Sequence, residues 1–171
     1  MRAQASPTVG PVLFKQGMRA LVGGVAVVTA YDASGASLGL TATSVSSLSV
    51  DPPSLLVCVN AASAMAQALA DGAAFGVNLL AHEQAEVAQA FGGQRPVRGV
   101  GRFAYGAWHR GALDTPLLAG ARVAFECVVA QTMAYATHRI VVGRVAEIHF
   151  GDPAARPLLY HDGRYATTEE A

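Results

Sequence analysis

Asp51-Pro52-Pro53 is the most restrictive tripeptide in this chain. Two successive prolines remove two backbone donors and fix φ, so neither a helix interior nor a central strand can run through them. What remains is a rigid corner. On its N-terminal side, residues 39–50 interleave small residues with the hydroxyls of Thr41, Thr43, Ser44, Ser46, Ser47 and Ser49. On its other side, residues 54–60 form an apolar run ending on Asn60. The pattern predicts two strands that meet at the corner and carry a hydroxyl-rich loop. Such a loop is either a solvated connection or a ledge that admits a ligand closely and offers short hydrogen bonds.

The rest of the chain supplies strands for this corner to join. Residues 12–20 predict a short amphipathic helix with Phe14, Met18 and Leu21 on one side. Residues 24–31 read as a strand, the Asp32-Ala33-Ser34-Gly35 turn reverses it into residues 37–43, and a third strand covers 55–60. Residues 62–70 lack β-branched side chains and predict a helix, with Ser63 at its start and Asp71-Gly72 ending it. A buried strand over 75–80 precedes a second helix over 82–91, and residues 92–101 form a basic loop carrying Arg95 and Arg98. Residues 102–120 show no clean periodicity and read as short strand and loop. Two long strands, 122–133 and 138–150, join at 134–137; in the second, Ile140, Val142 and Ile148 fall on one face and Arg139, Val141 and Gly143 on the other. About six strands with two inserted helices predict a mainly β protein, a barrel rather than an alternating βαβ sheet. Residues 1–11 are expected to be a disordered N-terminus, 12–166 a single domain and 167–171 a tail.

Composition narrows the partners. A chain of 171 residues is long enough to bury about two-thirds of its unfolded surface in one core. Charged residues are only 14% against 52% hydrophobic, and that surplus of uncharged surface favours an oligomer. Twelve basic residues balance twelve acidic ones with no Lys/Arg cluster, which speaks against nucleic acid and anionic membrane as partners. Cys58 and Cys127 stand apart inside apolar runs, without the spacing of zinc or dithiol sites, and suit a reducing, cytoplasmic compartment. Residues 20–30 are too short to cross a bilayer and carry the β-branched content of a strand, so a signal-peptide reading is rejected.

Three motif-like features test weakly. Gly35-Ala36-Ser37-Leu38-Gly39 matches the nucleophile-elbow pattern, but a strand and loop follow Ser37 where a helix is required. Residues 99–104 match the dinucleotide fingerprint G-x-G-x-x-A, yet a polar loop rather than an apolar strand leads into them. The five histidines share no metal-ligand spacing. His138 stands out because it opens a long strand at a hairpin, where it either points into a binding mouth or is simply solvated.

A set of longer motifs carries a resemblance. GLTATSVSSLSVDPP (39–53), LLVCVN (55–60), FGVNLL (75–80), THRIVVGRV (137–145) and PLLYHDGRY (157–165) together resemble the flavin reductase family, the small reductase components of two-component flavin-dependent monooxygenases. The match runs from about Met18 to Tyr165. It implies an FMN-binding split β-barrel, homodimeric, with FMN or FAD along the barrel near the subunit interface. Thr41, Ala42, Thr43 and Ser44 would line the flavin ring and ribityl chain, and Ser47, Leu48 and Ser49 would continue that wall. Cys58, Val59, Asn60 and Ser63 would reach the ribityl and phosphate end. Ala64 and Met65 depart from the hydroxyl or basic residue usual there, so phosphate affinity would rest on backbone groups and a loop arginine, Arg95 or Arg102, with weak, exchangeable flavin. His138, Tyr160, Arg164 and Tyr165 would lie on the nicotinamide side. Ala136-Thr137 replaces the usual Gly-Asp before His138.

The resemblance therefore implies NADH or NADPH passing a hydride to flavin N5, with reduced flavin leaving for a partner monooxygenase. Two other readings stay open on the residues: a non-catalytic module that holds flavin tightly as an electron carrier, and a flavin-dependent ferric reductase.

Overall fold

The computed structural model describes residues 9–169. In chain order these form helix α1 (Pro11–Met18), strands β1 (Gly23–Gly24), β2 (Ala26–Tyr31), β3 (Ser37–Ala42), β4 (Ser46–Val50) and β5 (Pro53–Asn60), then helix α2 (Ala64–Ala68) and β6 (Ala74–Leu79). A 3-10 turn, His82–Gln84, runs into α3 (Ala85–Phe91), and a second 3-10 segment covers Gly99–Ala104. The short hairpin β7 (Trp108–Arg110) and β8 (Pro116–Leu118) precedes the long hairpin β9 (Val123–Tyr135) and β10 (His138–Phe150), and β11 (Leu159–His161) with β12 (Arg164–Ala166) completes the order. Of the stretch 1–11 expected to be disordered, residues 1–8 lie outside the described residues, and Pro11 already opens α1. Residues 170–171 of the expected tail lie outside them too.

The protein is mainly β. Seven antiparallel strands pair in the order β3-β2-β6-β9-β10-β5-β4, while β1, β11 and β12 form a small separate sheet. Strands from both ends of the large sheet feed one core: Ala26, Val28 and Ala42 pack with Leu55, Val57, Val59, Phe75 and Val141. The sheet therefore curls around that cluster. A second cluster on its other side joins Val27, Leu80, Val87, Phe91 and Leu158. Because β2 is covered on both faces, its sequence reads as a continuous apolar run rather than as an alternation.

Several boundaries move for identifiable reasons. The expected strand 24–31 divides at Val25, whose N–H donates to Leu158 and whose carbonyl accepts from Leu80, so the chain changes sheets just after Gly23-Gly24. The hydroxyl-rich loop is itself partly strand: Ser46–Val50 forms the sheet edge against β5, and the corner holds a cis Asp51-Pro52 bond. The helix expected over 62–70 shrinks to Ala64–Ala68 because Ser63 caps it and Leu69 leaves the helical region. Strand β9 runs on to Tyr135, leaving a two-residue turn in which Ala136 sits at φ 48°. Ile148 is corrected as well. A register irregularity between Val145 and Glu147 pairs Val145 with Cys127 and Ile148 with Phe125. One extra residue in a period-2 strand reverses the facing of everything after it, so Ile148 shares the face of Val145 and not that of Ile140.

Candidate functional site

The end of β3 builds the floor of a trough. Strand alternation turns Ala42 into the core, where it is buried, and turns Thr41 the other way, its hydroxyl donating to the Ala88 carbonyl at 2.7 Å. Thr43 follows as an exposed residue just past the strand. Across from it, Tyr160 and Tyr165 face each other on the β11–β12 hairpin with ring centroids 5.3 Å apart. Burial first, and the neighbouring Tyr160 second, push the Tyr165 hydroxyl above its ordinary range, so it stays a neutral donor. Gly92 closes the end of α3: a Cβ there would stand 2.9 Å from the Ala88 carbonyl oxygen and 3.7 Å from Thr41 Cβ. Its lack of a side chain lets the Gly92–Gln94 turn lie against β3.

Two adjoining hollows share this floor. One, of about 200 Å³, lies among Val25, Thr41, Thr43, Gln94, Tyr160 and Tyr165. The other, of about 300 Å³, continues from Thr43 and Tyr160 beneath α1. Thr41, Thr43, Tyr160 and Tyr165 are thus brought together.

A second group of expected residues sits around the β5–β10 pairing. The Ser44 hydroxyl donates to the Cys58 carbonyl at 3.1 Å and accepts from the Cys58 N–H at 3.3 Å. Asn60 stands directly opposite His138 in the ladder, and His138 Nδ1 lies 2.9 Å from the Thr137 hydroxyl. Val59 turns its side chain into the core, so only its backbone is available to a ligand. Ser47, Leu48 and Ser49 lie exposed on edge strand β4. Ser47 and Ser49 rim an open apolar groove of about 520 Å³ floored by Leu55, Leu79, Phe125, Val145 and Ile148.

The expected phosphate end is divided. Ser63 and Arg102 line one hollow of about 260 Å³ beside the start of β3. Arg102 donates through Nη1 to the Gly39 carbonyl at 3.2 Å, while its Nε is buried without a partner. The Ser63 hydroxyl is engaged twice, donating to the Asn60 carbonyl and accepting from Ala66 N–H. Arg95 lies elsewhere: it bonds Gln89 at 3.0 Å and Glu86 at 2.8 Å. Arg164 is exposed and faces Asp162 at 3.4 Å.

Two features escaped the sequence. Phe14, Lys15, Met18 and Arg19 of the α1 segment wall the trough, though periodicity shows only that α1 has an apolar side. Glu126 is the other. Its side chain is fully buried and accepts from the N–H groups of Ala112 and Leu113 at 2.8 Å, from the Thr115 hydroxyl at 2.9 Å and from His149 Nε2 at 2.8 Å. Burial alone raises its pKa, but the bonds from His149, Leu113, Thr115 and Ala112 together outweigh it and hold the carboxyl below its ordinary value. Burial, reinforced by the Glu126 charge, pushes the adjacent Cys127 thiol to about 12, so Cys127 is an inert protonated thiol.

The flavin reductase like domain family matches residues 18–169. An NADH:riboflavin 5'-phosphate oxidoreductase of Streptomyces pristinaespiralis is 38% identical over 160 residues, covering 92% of this chain and 88% of that protein. The flavin reductase component of a bacterial two-component tryptophan halogenase has 31% identity and a TM-score of 0.84, covering 95% of this chain and 100% of its own. The NADH:FAD oxidoreductase of Streptomyces globisporus, in complex with NAD and FAD fragments, has 29% identity and a TM-score of 0.83, covering 96% of this chain and 98% of its own.

Proposed function

The chain belongs to the flavin reductase family, and from that premise we propose that it uses NADH to reduce FMN or FAD, which then leaves for a separate oxygenase. It is an NADH-dependent flavin reductase on the strength of its relatives. The observation that carries the finer reading is the joined trough floored by Thr41 and Thr43 and walled by Tyr160 and Tyr165.

The residues present fit a flavin. Arg102 Nε, buried and unpartnered, is a cationic donor in want of an anion and shares its hollow with Ser63; a flavin phosphate satisfies it. Because the Ser63 hydroxyl already caps α2, Arg102 carries most of that affinity, in keeping with exchangeable binding. When bound, flavin and nicotinamide supply the redox chemistry, hydride passing from the nicotinamide C4 to flavin N5. The protein orients and stabilises. Thr43 and the backbone beside it offer donors to the polar edge of the ring system, the Ser44–Cys58 and Asn60–His138 pairs hold the adjoining strands in register, and the two tyrosines shield the trough from water.

We read the architecture as a split barrel and its assembly as a homodimer. Supporting the dimer, Val50 is 90% and Phe150 79% exposed near the apolar groove, more apolar surface than a monomer ordinarily leaves bare. No helix among the described residues is long and apolar enough to cross a membrane, and we place the protein in the cytoplasm on its free cysteines, Cys58 and Cys127. Reduced flavin passing to a monooxygenase follows by likeness to the halogenase reductase component.

The test is a matrix of FMN and FAD against NADH and NADPH with the purified chain. NADH oxidation should depend on added flavin and remain catalytic in it. Its absence with both flavins and both nucleotides would falsify the reading, and a yellow stoichiometric complex that no nucleotide reduces would identify an electron carrier instead.

A further inference from the structure

Helix α1 is an unusual element to find conserving its shape on a surface. None of its residues is buried, and eight residues are too few to hold a helix by propensity alone. It is pinned at its C-terminal end, where the Asp162 N–H in the β11–β12 turn donates to the Arg19 carbonyl at 3.1 Å. Phe14, Lys15, Met18 and Arg19 are spaced i, i+1, i+4, i+5 and line the trough together. Lys15 and Arg19 are four residues apart, so two like charges share one face, an arrangement that weakens a helix slightly. Neither takes part in a salt bridge among the described residues, and the one carboxylate on the trough wall, Asp162, already faces Arg164. Phe14 is 60% exposed beside them. A bare aromatic ring with a thioether next to two unpaired cations is suited to a flat heterocycle joined to phosphates.

We propose that the α1 face formed by Phe14, Lys15, Met18 and Arg19 binds the adenosine diphosphate portion of the nicotinamide dinucleotide, whose reactive end occupies the trough at Thr43 and Tyr160. The proposal rests on the flavin reductase reading for that reactive end. Lys15 and Arg19 hold the diphosphate and Phe14 stacks on the adenine, while the flavin phosphate lies apart at Arg102. NADH and NADPH carry the adenosine diphosphate fragment, and FMN does not.

The experiment compares the full-length chain with the K15Q/R19Q double variant and with F14A by equilibrium fluorescence titration. The ligands are FMN, FAD, NADH and ADP alone, and thermal melting is recorded alongside. ADP affinity should fall at least tenfold in the double variant, with FMN affinity unchanged, and F14A should weaken ADP severalfold. NADH affinity should fall in parallel with ADP affinity; a loss for FAD but not NADH overturns the assignment to the nicotinamide dinucleotide. Unchanged ADP, FAD and NADH affinities overturn the proposal. So does an equal fall for FMN and ADP accompanied by a lower melting temperature, because α1 would then be only structural. ADP binding is read without turnover, so a wild-type chain that binds ADP through Lys15 and Arg19 but oxidises no NADH refutes the flavin reductase reading and leaves this site standing.

Discussion

Replacing Glu126 with alanine should cost roughly 3–5 kcal/mol, the range for leaving the partners of a buried ionic group unpaired. Four donors converge on this one carboxylate: the N–H groups of Ala112 and Leu113, the Thr115 hydroxyl and His149 Nε2. No water can replace it cheaply, since the side chain is fully buried and Gly111 packs so closely that a Cβ added there would collide with the carboxylate. For a chain of this length the melting temperature should fall by about 10 °C. Glutamine keeps the volume but turns an NH2 group toward donors, so it should recover little of the loss. The pH dependence follows from the direction of the shift. Because the folded-state pKa lies below the ordinary 4.5, the carboxylate's stabilisation is fully present above that value and is lost as pH falls through the lower, folded-state one. Melting curves from about pH 7 to about pH 3 should show the wild type and the glutamine variant converging at the acid end. An alanine variant that melts with the wild type at neutral pH would show that the four bonds are replaced by solvent.

Thr43→Trp should abolish most turnover without touching stability. Thr43 is exposed and is the residue common to both halves of the trough, so an indole there occupies the volume the reactive rings need. Misalignment of reacting groups by about an ångström already costs on the order of a hundredfold in rate, and outright blockage should cost at least that. The melting temperature should stay within a degree or two, as expected of an exposed substitution on the order of 0.5 kcal/mol. Steady-state NADH oxidation with saturating flavin measures the first effect and thermal melting the second. Retention of full activity would move the reaction out of the trough.

How far these residues were legible in the sequence depends on whether their roles were local. The Pro52-Pro53 corner, the Asp32 turn and the long β9–β10 hairpin declare themselves through backbone chemistry, and they appear where expected. The Asp32 turn shows why: its carboxylate bonds Ser34 and Ala36 within its own loop. The resemblance assigned Thr41 and Thr43 to the flavin wall and Tyr160 and Tyr165 to the nicotinamide side, and it is the structure that gathers the four around one hollow. Roles decided by distant packing were not visible. Nothing in the local pattern tells that Arg95 bonds Glu86 and Gln89, that Val59 faces the core, or that an extra residue near Ala146 turns Ile148 around. Glu126 shows the limit most clearly, for its four partners come from 11 to 23 residues away.

The buried polar side chains have a further consequence for how this chain tolerates changes of length. Thr29, Asn78, Thr115 and Glu126 are the buried polar residues of the described structure, and all four serve one segment. Thr29 donates to the Pro116 carbonyl at 2.6 Å, Asn78 accepts from the Leu118 N–H at 2.8 Å, and Thr115 joins Ala112 and Leu113 on Glu126. A surface connection is ordinarily where relatives gain and lose residues and where a tag or a new terminus is accepted. Here each successive group has an assigned partner at fixed spacing, so one inserted residue between Gly111 and Leu118 would displace several of these bonds at once. For grafting or permutation, the Ala33–Gly35 turn is the open position, and the segment before β9 is closed.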